Sequence, residues 1–365
     1  MKFTCKKSDF SNGINIAMKA ILGKTTMPTL ECFLIEAKGD KVKLTSNDMQ
    51  LGIETSFPAD IKEEGIVLMN ARNLAGYVSH MPDDTVEFES DASNTILIFS
   101  GMRRHEEKGM SDDDFPRLPD ISFSDKVTIS QFTLKEMIHQ TIFSISSKEN
   151  NKILTGELFE IQDDELRIAS LDLIRVSIRK IKLSKKYDKI KVVIPGKTLN
   201  EISKVMSNDA DETVDISFSK NHVKFEFGNT VMISRLIEGN FFNIDQMLKN
   251  NYETKVTVNK SRFFSCIDSS TLLMTETDKN PVIFTMQDDE MKVEIKPSHS
   301  SMNEDVPIQK EGKDLKIGLN PKYIVDVLRV IDDEEISLYF FNSNSPCFIK
   351  NDDESYIYLI LPINI

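Results

Sequence analysis

The chain repeats one pattern three times along its 365 residues. Each copy opens with a short alternating segment, and apolar residues then recur at intervals of three and four, which predicts a strand followed by an amphipathic helix. The three opening segments are KFTC from Lys2, KVTI from Lys126 and KVTV from Lys255. This repetition constrains the fold more than any other feature, because all three copies have to adopt the same architecture.

Two further blocks recur in the same order within each copy. An acidic turn leads into a strand that alternates apolar and charged residues, which predicts a hairpin with one face in water. These segments begin at Gly39, Asp163 and Asp288. Another strand then leads into a second helix, whose first residues are suited to a cap or a first turn. They are Asn70, Pro195 and Asn320.

Each copy is therefore predicted to be a small α+β domain in which two helices pack on antiparallel sheets. Polar turn residues interrupt the pattern at 116–125 and at 249–254, as expected of domain boundaries. We predict three tandem domains of one kind, with bounds at 1–122, 123–251 and 252–365. The copies are longer than the roughly 20 to 50 residues of solenoid and propeller repeats, which disfavours those architectures.

Composition places the chain among ordinary globular proteins. Its 40% of hydrophobic residues are enough for a core in each domain. No apolar run is long enough to cross a bilayer, and we expect a cytoplasmic protein. The four cysteines are far apart and form no CxxC pair, so we predict buried reduced thiols and neither a zinc site nor a disulfide framework. They are Cys5, Cys32, Cys266 and Cys347.

The sequence lacks the common catalytic motifs. It contains no GxxxxGK[ST] loop, no GxSxG elbow, no HExxH pair and no GxGxxG turn, and we expect no catalytic residue and no cofactor. The histidines at 105, 139 and 222 lie in predicted strands or surface helices, where structural roles are more common than base catalysis. Acidic doublets such as Asp163-Asp164 recur at equivalent turns, which favours turn chemistry over metal binding. Three similar domains without a catalytic motif favour a non-catalytic scaffold protein. The alternative is an enzyme or ligand-binding protein built on a repeated α+β domain and unrelated to DNA.

The distribution of basic residues decides whether this acidic chain, with a net charge of −13, can bind a polyanion. Charges interact over roughly 8 Å at physiological salt, so a local basic surface can attract phosphates although the whole chain is negative. Arg72, Lys197 and Lys322 occupy one position near the start of the second helices. Cations in or after the first helices are Lys19, Lys24, Lys135, Lys148, Lys152 and Arg262. Parallel domains would align them into one stripe, whereas charge counting alone favours ordinary solvated helix faces.

Eight segments spread over essentially the whole chain carry a resemblance to a known family. They are KFTC at the start, KTTMPTL (24–30), DDFPRLP (113–119), LTGELFE (154–160), VVIPGK (192–197), SRLIEGNFFN (234–243), GLNPKYIVDVL (318–328) and YLILPINI (358–365). In their order and spacing they resemble the bacterial DNA polymerase III beta subunit, the sliding clamp. The resemblance implies a non-catalytic processivity factor.

The resemblance also implies a head-to-tail homodimer, closed into a ring of six domains with helices around a central hole and sheets outside. Duplex DNA would thread the hole, and weak contacts to phosphates would permit sliding. The residues implied to face DNA are Lys24, Arg72, Lys148, Lys152 and Lys197. Those implied in the contact between the first domain of one chain and the third of the other are Leu272 and Leu273. Because the chain has no ATP-binding loop, an external clamp loader is implied.

A hydrophobic pocket between the second and third domains is a further implication. It would receive short linear motifs from DNA polymerases, the clamp loader and repair proteins, next to the carboxyl-terminal strand. The residues implied from the second domain are Leu154, Leu171, Asp172, Arg175 and Val176. The others are Phe242, Met247, Asn320, Tyr323, Pro346, Leu359, Ile360, Leu361, Pro362 and Ile363. Only alternate side chains of the last strand are expected to be available to a ligand, since the inward ones belong to the core.

The chain departs from the family pattern within this pocket. The segment LDLIRV (171–176) keeps Asp172 and Arg175 but has leucine and isoleucine where the family usually has glycine and histidine. Phe242 replaces a usual proline, Gln246 replaces a frequent arginine, and the tail ends in LPINI. We therefore expect a pocket that is more apolar and less basic than is usual in the family.

Overall fold

The structure is a computed structural model that describes residues 1–123, 126–148, 150–248, 252–274, 281–297 and 300–365. The α-helices in these ranges are α1 (Lys7–Ala17), α2 (Ala71–Ser79), α3 (Gln131–His139), α4 (Gly196–Val205), α5 (Ile244–Met247), α6 (Lys260–Thr271) and α7 (Pro321–Val330). Short 3₁₀ helices cover Met18–Ala20, Pro28–Glu31, Ile142–Ser144 and Lys152–Thr155. None of the helices in the described ranges has the length and apolar character needed to cross a membrane.

Antiparallel strands make up most of the remaining structure. The first half of the chain contains β1 (Lys2–Lys6), β2 (Cys32–Lys38), β3 (Lys41–Asn47), β4 (Leu51–Pro58), β5 (Asp60–Glu63), β6 (Gly65–Asn70), β7 (Thr85–Ser90), β8 (Thr95–Ser100), β9 (Arg103–Lys108), β10 (Val127–Ser130), β11 (Gly156–Leu171) and β12 (Arg175–Pro195). The second half contains β13 (Thr213–Phe218), β14 (His222–Phe227), β15 (Thr230–Arg235), β16 (Thr254–Asn259), β17 (Val282–Gln287), β18 (Glu290–Ile295), β19 (Met302–Pro307), β20 (Gln309–Gly312), β21 (Leu315–Leu319), β22 (Glu335–Phe340), β23 (Cys347–Lys350) and β24 (Tyr356–Ile360).

The repeated opening strand, first helix and second helix predicted from the sequence are confirmed in all three domains. The opening strands β1, β10 and β16 run directly into α1, α3 and α6, and the second helices are α2, α4 and α7. Asparagine side chains cap the start of four described helices by accepting backbone N–H bonds, as predicted for Asn70 and Asn320 and also seen at Asn243 and Asn259. Such caps satisfy amides that have no partner inside the helix.

The structure confirms two of the three predicted acidic turns. The φ angle is +62° at Gly39, in the turn between β2 and β3, and +47° at Asp288, in the turn between β17 and β18. Asp163, predicted to lie in the equivalent turn, lies instead inside strand β11 with a φ angle of +53°, where the pairing of β11 with β12 shifts register. Glycine and aspartate tolerate this left-handed conformation better than most residues do. Gly39 and Asp288 therefore suit the turns they occupy, whereas Asp163 occupies an irregularity within a strand.

The chain divides into two compact units. Unit 1 contains Met1–Phe132 and Lys204–Leu236, and unit 2 contains Thr133–Ser203 and Ile237–Ile365. The sheet of unit 1 that crosses a domain boundary has the order β10-β13-β14-β15-β4-β3-β2-β6, and that of unit 2 has the order β11-β12-β24-β23-β22-β16-β20. The middle domain is thus shared, because its strands pair with the first domain in unit 1 and with the third domain in unit 2.

Apolar side chains from helices and sheets fill the interior of each unit. Phe3, Phe10 and Phe88 lie at the centre of one cluster in unit 1, and Phe263 packs against Phe284 in unit 2. Complete burial of one such side chain stabilises the fold by roughly 1.5–3 kcal/mol. The four cysteines are buried free thiols, as predicted.

A polar cluster is buried in unit 2 between the segment 141–144 and strands β11 and β12. The hydroxyls of Ser144 and Ser177 are 2.6 Å apart, and the Thr141 hydroxyl donates to the Met137 carbonyl oxygen at 2.8 Å. Glu157 is completely buried, and its carboxyl oxygens have no hydrogen-bond partner among the described residues. Burial raises the pKa of the Glu157 carboxyl to about 8, against a small opposing effect of the Thr141 hydroxyl, so this side chain is held in its neutral form.

The raised pKa of Glu157 predicts a stability that falls as the pH rises. Below the ordinary value of 4.5 the group is protonated in both states, whereas from 4.5 to about 8 only the unfolded chain releases the proton. Each pH unit between the unfolded and the folded pKa lowers the free energy of unfolding by about 1.4 kcal/mol. We expect Glu157→Gln, which is neutral at every pH, to gain about 4 kcal/mol relative to the unmodified protein between pH 5 and pH 8, measured by urea unfolding.

The control for this measurement is Glu165→Gln, which changes a half-exposed carboxylate on the same strand, β11. It is expected to leave the pH dependence of unfolding unchanged. Parallel pH profiles for Glu157→Gln and the unmodified protein would show that Glu157 does not hold its proton in the folded state.

Candidate functional site

Unit 2 contains an open groove with an empty volume of about 740 Å³. We call it the unit-2 groove. Its lining residues are Leu171, Leu173, Ile174, Arg175, Val176, Phe242, Gln246, Met247, Pro346, Leu359 and Leu361. Most of these side chains are apolar, and none of them is acidic. An apolar groove with a few polar groups at its border is suited to binding apolar side chains of a ligand.

A tight turn between β11 and β12 forms one side of the unit-2 groove. The Asp172 Oδ1 atom accepts hydrogen bonds from the backbone N–H groups of Ile174 and Arg175, both at 3.1 Å, and Leu173 has a φ angle of +75°. This backbone directs two apolar side chains outward, with exposed fractions of 63% for Leu173 and 43% for Ile174. The turn therefore presents apolar surface where turns usually carry polar residues.

The linker after β15 forms a second side. Phe241 is buried in the hydrophobic cluster of the middle domain, while Phe242 is only partly buried and lines the groove. Helix α5 follows, and its Met247 side chain lies in the lining. The Arg167 side chain donates to Asp245 Oδ1 at 2.6 Å, which lowers the pKa of the Asp245 carboxyl. This ion pair fixes α5 to strand β11.

The carboxyl-terminal strand β24 contributes alternate side chains to two hydrophobic cores. Tyr356, Tyr358 and Ile360 pack in the cluster of the third domain, whereas Ile357 and Leu359 pack in that of the middle domain. The strand is fixed at this place because its residues pair with β12 on one side and β23 on the other. The apolar character of the chain end follows from this double burial.

The tail beyond β24 continues the same arrangement. The Leu361 backbone N–H donates to the Ile174 carbonyl oxygen at 2.8 Å, and the Ile363 N–H donates to the Gly318 carbonyl oxygen at 2.8 Å. Leu361 lines the groove and is 38% exposed. The backbone of the tail is therefore held at Leu361 and Ile363, while the Leu361 side chain remains open to a ligand.

Arg175 holds the turn of the middle domain to helix α7. Its guanidinium donates to Asp172 Oδ2 at 3.1 Å, to Asp326 Oδ2 at 2.6 Å and to the Phe143 carbonyl oxygen. It also lies over the Tyr323 ring at 4.4 Å from the centroid. A nearly buried guanidinium with two carboxylates and a ring is bound in one position. The side chain thus stabilises the groove and has little freedom to engage a ligand.

The structure brings together eight of the fifteen residues implied for the pocket. They are Leu171, Arg175, Val176, Phe242, Met247, Pro346, Leu359 and Leu361. The other seven lie outside the lining: Leu154 and Ile360 are buried in the cores, Asn320 caps α7, Asp172 bonds to Arg175, Tyr323 lies under the Arg175 guanidinium, and Pro362 and Ile363 belong to the tail.

Three further lining residues, Leu173, Ile174 and Gln246, were noted in the sequence only as departures from the family pattern. Apolar residues at a turn were the signal that could have identified the first two.

The cations implied to face DNA are all exposed. In unit 1, a Cβ atom at Gly23 would lie 3.6 Å from the Arg72 guanidinium, so the segment of Lys24 runs close to the start of α2. In unit 2, a Cβ atom at Gly196 would lie 3.0 Å from the Thr155 carbonyl oxygen, so the 3₁₀ turn of Lys152 runs close to the start of α4, where Lys197 lies. Both units therefore place basic residues beside the start of a second helix. Lys148 is exposed shortly before the 3₁₀ turn of unit 2.

The two leucines implied in dimer contact differ in their surroundings. Leu272 follows the last residue of α6 and is 83% exposed, whereas Leu273 packs partly against the core of the third domain. A largely exposed leucine at the end of a helix is available for a contact with another molecule.

Sequence and structure comparisons identify the same family. The chain matches the family profiles of the DNA polymerase III beta subunit for the N-terminal domain over residues 1–119, the central domain over 128–243 and the C-terminal domain over 245–364. It is 35% identical to the beta sliding clamp of Staphylococcus epidermidis, over 100% of this chain and 99% of that protein.

Solved structures of sliding clamps superpose on the whole chain. A putative DNA polymerase III beta subunit from Eubacterium rectale has a TM-score of 0.97 at 49% identity, with 100% of this chain and 99% of that chain covered. The DNA polymerase sliding clamp of Bacillus subtilis has a TM-score of 0.97 at 31% identity, with the same coverage. Together with the three profiles, these structures confirm the prediction of three tandem clamp domains. The chain belongs to the DNA polymerase III beta subunit family, the beta sliding clamps.

Proposed function

We propose that two copies of this protein close head to tail into a ring that encircles duplex DNA and holds a DNA polymerase there through the unit-2 groove. As a member of the beta sliding clamps it is a processivity factor and not a catalytic subunit, and the alternative of an unrelated enzyme or ligand-binding protein is not favoured. The ring works in the cytoplasm and is opened by a separate clamp loader.

The observation that supports a ring is that two strands, β9 and β19, lie at the ends of their sheets. Where the first and second domains join, β4 pairs with β15, and where the second and third join, β12 pairs with β24. The equivalent strand of the third domain, β19, lies at the end of its sheet, as does β9, the last strand of the first domain. An exposed edge favours pairing with another strand, so β19 of one copy and β9 of a second copy complete the same junction.

The charges on these two edges are complementary at one end. Strand β9 begins with Arg103 and Arg104, and β19 carries Glu304 and Asp305. Opposite charges across paired strands stabilise the pair. Helix α6 lies beside β19, because the Arg262 guanidinium donates to the Asp305 carbonyl oxygen at 3.4 Å. Its exposed Leu272 is thus available as an apolar contact near this edge.

The proposed DNA contacts are the five cations implied by the resemblance. All five are exposed, and no ion pair with a described residue holds Lys24, Arg72 or Lys152. Contacts of this kind are made to phosphates and not to bases, so they carry no sequence preference. They also weaken steeply as the salt concentration rises. The closed ring prevents the DNA from leaving, and the weak contacts of the cations with phosphates allow the ring to slide.

The proposed ligand of the unit-2 groove is a short peptide with two or three apolar anchors. Burial of one such anchor yields roughly 1.5–3 kcal/mol, part of which is offset by the ordering of the peptide. The resulting affinity is weak to moderate, which permits exchange among DNA polymerases, the clamp loader and repair proteins. A ring and a polymerase on the same DNA have a high effective concentration, which compensates for the weak contact.

The first test of the ring changes the edge of the third domain. The unmodified protein is expected to scatter light as a dimer, to remain on nicked circular DNA and to leave it once the circle is linearised. The double variant Glu304→Lys with Asp305→Lys places like charges opposite β9 and is expected to scatter as a monomer and to lose retention.

A matched control applies the same charge change elsewhere in the third domain. Asp332 and Glu335 are exposed after α7, and their replacement by lysine is expected to leave the dimer intact. A monomeric unmodified protein, or full retention of the edge variant on circular DNA, would contradict the proposed ring.

The second test addresses the groove with an uncharged capped peptide, Gly-Asn-Leu-Phe-Asn-Gly. Leu361→Ala removes an apolar contact at the rim and is expected to weaken binding of this peptide about tenfold, which corresponds to about 1.4 kcal/mol. Binding is followed through the methyl NMR signal of Met247, which lines the groove.

Ile365→Ala serves as the control, because Ile365 lies in the same tail and outside the groove lining. It is expected to bind the peptide as the unmodified protein does. Equal affinity of the Leu361→Ala variant would refute the groove as the peptide site, without bearing on the ring.

A further inference from the structure

A second groove lies in unit 1, with an empty volume of about 560 Å³. We call it the unit-1 groove. Its lining residues are Asn47, Met49, Gln50, Gly52, Pro116, Arg117, Leu118, Pro119, His222, Ile233 and Arg235. They come from the turn between β3 and β4, from the linker after the first domain, and from β14 and β15. These are the repeat equivalents of the three segments that form the unit-2 groove.

The turns of the two grooves have the same geometry. Asp48 Oδ1 accepts backbone N–H bonds from Gln50 at 2.9 Å and from Leu51 at 2.7 Å, as Asp172 does two and three residues further on. The φ angle of Met49 is +71°, against +75° for Leu173. The turn therefore presents Met49, which is 45% exposed, in the same way as the unit-2 turn presents its leucine.

The remaining two sides also correspond. The Arg235 backbone N–H donates to the Gln50 carbonyl oxygen at 2.9 Å, where in unit 2 the last strand makes the same bond through Leu361. In the linker, the buried Phe115 precedes Pro116, as a buried phenylalanine precedes Phe242. The Asn47 side-chain amide donates to the Pro116 carbonyl oxygen at 2.8 Å and holds this linker against the turn.

The apolar floor of the unit-1 groove is smaller. Gly52 has no side chain, and a Cβ atom there would lie 1.8 Å from a methyl carbon of Leu118. Leu118 thus packs directly on the strand and fills space that would otherwise remain open. The groove that is left offers Met49, Leu118 and Ile233 as apolar contacts, which is enough for one or two apolar side chains of a ligand.

The charge of the unit-1 groove distinguishes it from its counterpart. In a chain with a net charge of −13, its lining includes two arginines and a histidine but no carboxylate. Arg117 donates to Asp112 at 2.6 Å, whereas no described carboxylate forms an ion pair with the exposed Arg235 side chain. In the unit-2 groove the lining arginine, Arg175, is held by two carboxylates. The unit-1 groove therefore has one guanidinium that is available to a carboxylate of a ligand.

We propose that the unit-1 groove is a second docking site, which binds a short peptide carrying an apolar side chain next to an acidic residue. The apolar side chain packs on Met49 and Ile233, and the carboxylate pairs with Arg235. Each chain then offers two docking sites of different chemistry, so that one ring can hold two kinds of partner at once. This inference goes beyond the proposed function, because it concerns a site in a different unit.

Methionine methyl NMR tests both grooves in one titration of the full-length protein. Met49 lines the unit-1 groove and Met247 lines the unit-2 groove, and each signal is assigned by replacement with leucine. The probes are two capped peptides, Gly-Asp-Leu-Phe-Asp-Gly and its uncharged counterpart with asparagine. We expect the acidic peptide to shift the Met49 signal saturably, and the asparagine peptide to bind there about tenfold more weakly.

Two variants separate the grooves. Arg235→Gln changes an exposed side chain and is expected to weaken the response of Met49 to the acidic peptide about tenfold, with no change at Met247. Leu361→Ala is expected to leave the Met49 response unchanged. A Met49 signal that stays in place, or that responds equally to both peptides, would overturn this inference, whereas an unresponsive Met247 would contradict only the proposed unit-2 site.

Discussion

Strand pairing across the domain boundaries is the interaction on which the rest of this structure depends. A sheet edge with free N–H and C=O groups is unstable in isolation and favours a partner strand. Here β4 pairs with β15, and β12 pairs with β24, so each boundary is a continuous sheet. The pairing brings a turn of one domain, the linker and the last strand of the next domain side by side. A groove at each boundary is a direct consequence of that arrangement.

The same pairing holds the walls of the unit-2 groove in place. Strand β24 buries alternate side chains in two cores, so displacing it would expose apolar surface of both domains at once. Arg175 adds contacts to Asp172 and Asp326, whose disruption would leave partly buried charges without partners. A ligand therefore meets rigid walls, and less of its binding energy is lost to ordering the protein.

The sequence was sufficient for the architecture because the repeat was visible in it. Hydrophobic periodicity located the helices and strands, and the asparagine caps at Asn70 and Asn320 set two helix starts. Tertiary details were not accessible in this way. The locked position of Arg175 depends on a carboxylate 151 residues away in the chain. Glu157 lies in a strand whose pattern gives no sign that its carboxyl is buried without a hydrogen-bond partner among the described residues. Periodicity assigns a side chain to a face but does not specify its contacts.

The two grooves show how duplication separates fold from specificity. Their backbones agree in the turn, in the φ angle after the aspartate and in the bond from the last strand, while the side chains differ at equivalent positions. Leu361 in unit 2 corresponds to Arg235 in unit 1, and Val176 corresponds to Gly52. The first exchange replaces an apolar contact by a charge, and the second admits Leu118 onto the strand. Because backbone pairing is independent of these side chains, each boundary retained its groove while the chemistry that the groove offers to a ligand changed.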